Sequence, residues 1–91
     1  MKSNEASVIK WANEYDDELL SSDFREDHVV RISFLDNTSQ FFKKAFMVEY
    51  DGDWICVFTE KNGCSVFNKD DIKCYAEYKK VLNIKEIAAD Y

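Results

Sequence analysis

Near the start of the chain, apolar positions fall at helical spacing. Val8, Trp11, Ala12, Tyr15 and Leu19 line one stripe, with charged residues on the opposite face. Ile9 and Leu20 widen the stripe, Ser3 offers an N-cap, and Ser21-Ser22-Asp23 reads as a polar connection after the last turn. The spacing predicts a helix from about Asn4 to about Leu20.

Beyond Asp27 the period drops to two. Val30, Ile32 and Phe34 alternate with Arg31 and Ser33, Asp36-Asn37-Thr38-Ser39 supplies turn chemistry, and Phe42 to Tyr50 resumes as one longer strand. Asp51-Gly52 marks a tight turn into a third strand, Trp54 to Glu60, which is apolar on both faces (Trp54, Cys56, Phe58 and Ile55, Val57) and is therefore expected at the centre of a sheet. Asn62-Gly63 predicts a type I′ turn, because both residues tolerate positive φ, and Cys64 to Phe67 follows as a fourth strand. After Asn68-Lys69-Asp70-Asp71, a fifth strand places Ile72, Cys74, Ala76 and Tyr78 on one face and Lys73, Tyr75 and Glu77 on the other. Asn83 with Glu86 resembles a capping box, and Ile84, Ile87, Ala88 and Tyr91 share a helical face, so a short C-terminal helix is expected.

The expected fold is α+β over a single domain, 1–91: an N-terminal helix, a five-stranded antiparallel meander that is either an open sheet or a small SH3-like barrel, and a short C-terminal helix. The stretch Gly52-Asp53-Trp54-Ile55-Cys56-Val57, then Asn62-Gly63, then Ile72, is similar to the distal-hairpin half of an SH3-like barrel over about a quarter of the chain. The second Trp and the proline of that pattern are missing, which removes the peptide-binding surface the resemblance would otherwise imply.

Charge changes the picture. Of the formal net charge of −6, the first 27 residues carry −5: Glu5, Glu14, Asp16, Asp17, Glu18, Asp23, Glu26 and Asp27 stand against Lys2, Lys10 and Arg25. Such a localised field attracts basic partners and repels nucleic acid and anionic membrane. No apolar run approaches the roughly 20 residues that span a bilayer, and the start of the chain lacks the basic and apolar segments of a signal peptide, so a cytoplasmic location is expected. The absence of proline and the presence of only two glycines leave no linker to mark a second domain.

Candidate chemistry is sparse. Cys56, Cys64 and Cys74 lack C-x-x-C spacing and lie in strand patterns, which suits small buried thiols better than zinc ligands, disulfides or nucleophiles. His28, beside Asp27, is the one histidine, and an enzyme using it with a carboxylate is the least favoured reading. Asp51 with Asp53, and Asp70 with Asp71, read as solvated turn residues, since no calcium-loop pattern is present. No glycine-rich phosphate loop can be written, so no cofactor is expected. Lys43-Lys44, Lys69 with Lys73 and Lys79-Lys80 are too few and scattered for direct nucleic-acid binding, and Phe41, Phe42, Tyr75 and Tyr78 read as core.

What remains is the acidic segment. It points to a small non-enzymatic binding protein, an inhibitor or adaptor with the character of immunity proteins, antitoxins or phage-type inhibitors, that occupies a basic site on a partner protein, including one that normally binds nucleic acid. Glu14, Asp17, Glu18, Asp23, Glu26 and Asp27 would steer association, with Tyr15 and Phe24 as aromatic anchors. The alternative is a β domain that forms a homodimer or binds a peptide along a sheet edge, through the Phe41-Phe42 strand or the Tyr75-Tyr78 strand.

Overall fold

The computed structural model describes residues 4–79. The expected C-terminal helix beginning near Asn83 lies outside the described residues.

Helix α1 spans Glu5–Asp17 and is capped by Asn4, whose Oδ1 accepts a hydrogen bond from the Ser7 amide at 2.8 Å. The helix stops three residues short of the expected Leu20 for a local reason. The Asp23 carboxylate accepts the Leu20 N–H at 2.7 Å and starts a 3₁₀ turn, Ser21–Asp23, with Leu20 already extended.

Six strands follow: β1 His28–Phe34, β2 Ser39–Lys43, β3 Ala45–Tyr50, β4 Trp54–Thr59, β5 Gly63–Asn68 and β6 Ile72–Lys79. They form two three-stranded antiparallel sheets, ordered β2-β1-β6 and β3-β4-β5. This corrects the expected five-stranded meander in two places. First, the long strand from Phe42 to Tyr50 is broken at Lys44, which turns the corner between the sheets with φ of 49°. A lysine in the left-handed region costs roughly 1 kcal/mol, and its Nζ is held 3.2 Å from Glu60, just past the end of β4. Second, β6 pairs with β1 rather than with β5. A second 3₁₀ turn, Lys69–Asp71, redirects the chain: Asn68 Oδ1 accepts from the Asp70 amide, the Lys69 amide donates to Asp53 O, and the Leu35 amide donates to Asp71 O.

β4 lies between two apolar cores, as its two-faced composition predicts. On one face Trp54, Cys56 and Phe58 pack beneath Val8 and Ala12 of α1. On the other, Ile55 and Val57 join Val30, Ile32 and Ala45, with Phe34, Phe42, Met47, Phe67 and Ile72 around them. The layers are thus helix, β3-β4-β5 sheet, β2-β1-β6 sheet.

Two finer expectations also change. At Asn62-Gly63 only Gly63 has positive φ (72°), so the turn is not type I′; the buried Thr59 hydroxyl instead accepts from the Asn62 amide and donates to Gly63 O, closing a wider loop. In β6 the register with β1 shifts between Ser33 and Phe34, where Ile72 pairs with Phe34 but Cys74 with Ser33. That bulge reverses the alternation. Ile72 stays in the core while Cys74 moves to the exposed face, and Tyr75 comes opposite Ile32.

Candidate functional site

The acidic residues singled out from sequence lie on the end of α1 and the connection to β1, a strip continuous along the chain. The strip's position follows from the core. Because Val8 and Ala12 are fully buried against β4, the rotation of α1 is fixed, and Glu14 and Asp17 are left exposed. Glu18, the helix C-cap, and Asp23 and Glu26 in the connection are exposed as well; Asp27 is half-buried.

The electrostatics of this arrangement are locally unfavourable. The C-terminal end of a helix carries a partial negative charge that favours cations, yet the last turn of α1 has no basic residue and ends on Asp16, Asp17 and Glu18. Glu14 also stands three and four residues before Asp17 and Glu18, where like charges repel. The ion pairs Lys44–Glu60 and Lys69–Glu49 lie at the corner between the sheets and between the second 3₁₀ turn and β3. Among the described residues, none of the strip's carboxylates is in an ion pair.

The field reaches the neighbouring sheet. Cys64 on β5 lies with its Sγ 3.5 Å from Asn13 Oδ1, and its thiol is pushed up first by burial and then by the charge of Asp16, with a smaller push from Asp17. Cys56 is raised to about 11, by burial and then by Cys64. Both shifts run opposite to the depressed pKa of a nucleophilic cysteine. Among the described residues no group of three His, Cys, Asp or Glu side chains is arranged to hold a metal ion, and no helix is long and apolar enough to cross a membrane.

The two proposed aromatic anchors are partly committed to the protein's own core. The Phe24 ring lies 5.7 Å from that of Phe46 and packs on the α1 core, half-buried. The Tyr15 ring lies tilted at 5.2 Å from that of Trp11 and 4.9 Å from that of Phe58, leaving 37% of the residue exposed. Leu20 is the apolar side chain that sequence reasoning missed. Read there as an extension of the buried stripe, it is 67% exposed and sits between Glu18 and Asp23, because the helix ends before reaching it. The acidic segment thus carries Leu20 and the exposed part of Tyr15 as apolar contacts among its carboxylates in sequence.

No protein-family model, curated protein or solved structure matches the chain. The chemistry of the strip has to carry the functional reading.

Proposed function

We propose that this chain is a non-enzymatic binding protein, an inhibitor or adaptor that lays its acidic strip over a basic surface of a partner protein. The observation that supports this most strongly is the placement, at the negative end of the helix dipole, of carboxylates that have no ion-pair partner among the described residues. A partner's lysines and arginines would supply the missing counter-charge, with Glu14, Asp17, Glu18, Asp23, Glu26 and Asp27 steering the encounter and Tyr15 and Leu20 giving apolar contact. Phe24 contributes by holding the connection against the core. The same chemistry suits a partner whose basic site normally takes nucleic acid, as immunity proteins, antitoxins and phage-type inhibitors exploit. On this reading the protein acts in the cytoplasm.

The scaffold beneath the strip is proposed to be a small SH3-like barrel. The strand order β6-β1-β2, continued through the Lys44 corner into β3-β4-β5, and the 3₁₀ turn before the last strand support that reading.

The test is a pull-down from source-cell or host lysate, at low salt and again at about 0.5 M salt where the screening length falls below about 5 Å. The native chain is compared with one carrying Glu14→Gln, Asp17→Asn, Glu18→Gln, Asp23→Asn, Glu26→Gln and Asp27→Asn. A basic protein held by the native chain alone, released by salt, and binding the purified chain with a salt-dependent association rate is the expected result. Equal retention by both chains, or no retention by either, overturns the proposal.

A further inference from the structure

Among the described residues, β3 is paired on one edge only, with β4, and β6 on one edge only, with β1. Yet the free edge of β3 is not bare. The Met47 amide donates to Glu77 Oε2 at 3.2 Å. Two residues further along β3 and two residues back along β6, the Tyr75 hydroxyl donates to Glu49 Oε2 at 3.4 Å. Lys69 Nζ donates to the same oxygen at 2.6 Å and stands 5.9 Å from the Tyr75 ring centroid. The contacts step as between antiparallel neighbours, but side chains replace the backbone ladder. The Lys69 hydrogen bond and charge hold the Glu49 carboxyl below the usual carboxylate range, so this bridge is ionised at neutral pH.

We propose that this seam is a latch, with Glu77 holding the free edge of β3 closed, and that it opens by Glu77 swinging off the Met47 amide while the core shared by Val30, Ile32, Ile55 and Val57 stays packed between the sheets. The inference is independent of the acidic strip, which lies on α1 and its connection to β1. It follows from a contrast in bonding. Within each sheet, consecutive residues are tied by backbone ladders, from Ala45↔Thr59 to Tyr50↔Trp54 in one and from His28↔Lys79 to Phe34↔Ile72 in the other. Across the seam, the Met47–Glu77, Lys69–Glu49 and Tyr75–Glu49 ties are made by exposed side chains that water can replace one at a time. Proteins open first where such ties are fewest. Opening here frees the Met47 N–H, the donor that an added strand takes from a sheet edge.

Native-state amide exchange, resolved by residue, tests the latch on the full chain and on the variants Glu77→Ala and Glu77→Gln. In the unaltered protein Met47, tied by an exposed side chain, should exchange at least about ten-fold faster than Cys56 and Phe58 of the buried strand β4. Glu77→Ala should accelerate Met47 about ten-fold more, the loss expected for one hydrogen bond to a charged acceptor, and leave the β4 amides unchanged. Glu77→Gln, which keeps a carbonyl acceptor, should lie between. A common rate for Met47 and the β4 amides in the unaltered protein overturns the proposal without any variant. So does acceleration of all amides by the same factor in Glu77→Ala, or no acceleration of Met47.

Discussion

Neutralising the end of α1 should make the protein more stable. The perturbation is the triple substitution Glu14→Gln, Asp17→Asn and Glu18→Gln, which changes side-chain charge and little else, since helix propensities of the acids and amides are close. Asp17 and Glu18 face the negative pole of the helix at its last residue and cap. Each contributes an unfavourable interaction of about 0.3–1 kcal/mol, taken at the lower end because both are exposed. The Glu14–Asp17 and Glu14–Glu18 repulsions add about 0.2–0.5 kcal/mol each. The variant should therefore gain about 1–2 kcal/mol at low ionic strength, or roughly 4–8 °C in Tm per kcal/mol for a domain of this size. Urea and thermal melts at about 0.02 M and about 0.5 M salt check it, and the gain should shrink by more than half at the higher concentration. A variant that is equally or less stable at low salt refutes the reasoning, because the carboxylates would then be compensated within the chain and would need no partner.

Four further outcomes follow from named contacts. Asp23→Asn and Asp23→Ala remove the same charge, but only alanine deletes the acceptor for the Leu20 amide; alanine should cost about 1 kcal/mol more in urea titrations, and equal stability would mean that this bond does not hold the turn. Phe58 is fully buried with ring neighbours Trp11, Tyr15 and Phe46; Phe58→Ala should cost about 3–5 kcal/mol, much of the stability of a small domain, whereas Phe58→Leu should stay folded and lose under about 1.5 kcal/mol by the same titration. The Glu49 carboxyl is depressed below its ordinary value of 4.5 by Lys69, so its contribution is present above that value and lost as pH falls through the lower folded value; Glu49→Gln should flatten the acid limb of the stability profile, and an unchanged limb would refute the coupling. Thiol labelling followed by mass spectrometry should modify exposed Cys74 in the native protein and Cys56, buried with its thiol near 11, only on unfolding.

Local patterns in the sequence carried over where a single residue's surroundings settle the outcome. The Val8–Ala12 stripe identifies the buried helix face, and the apolar run of β4 places it between two cores, because a strand with no polar face must be covered on both. Long-range choices were not legible. Lysine carries no turn signal, so the corner at Lys44 could not be read, and without the corner the chain looks like one meander. The pairing of β6 with β1 is decided by how the chain closes in three dimensions, and the bulge opposite Ser33 and Phe34 reversed the face that plain alternation gives Cys74. For the candidate site, charge was legible and exposure was not. Phe24, embedded in acidic sequence, turns inward onto Phe46, while Leu20, in phase with a helical stripe, stays in solvent.

The acids and the core are parts of one arrangement. Association costs free energy in proportion to the freedom lost, and a segment already fixed in its bound shape loses less. The strip is fixed at three points: α1 is keyed to β4 through Val8 and Ala12, Leu20 is tied back to Asp23, and Phe24 is pinned against Phe46. Between these anchors the carboxylates have little room to spread apart and relieve their repulsion. A flexible acidic tail would avoid that cost by extending, and would then have to be ordered again on a partner. Holding like charges together on a rigid helix end costs stability in the free protein and concentrates the field that a basic surface would meet, which is the trade expected where fast, salt-sensitive association matters more than the stability of the isolated chain.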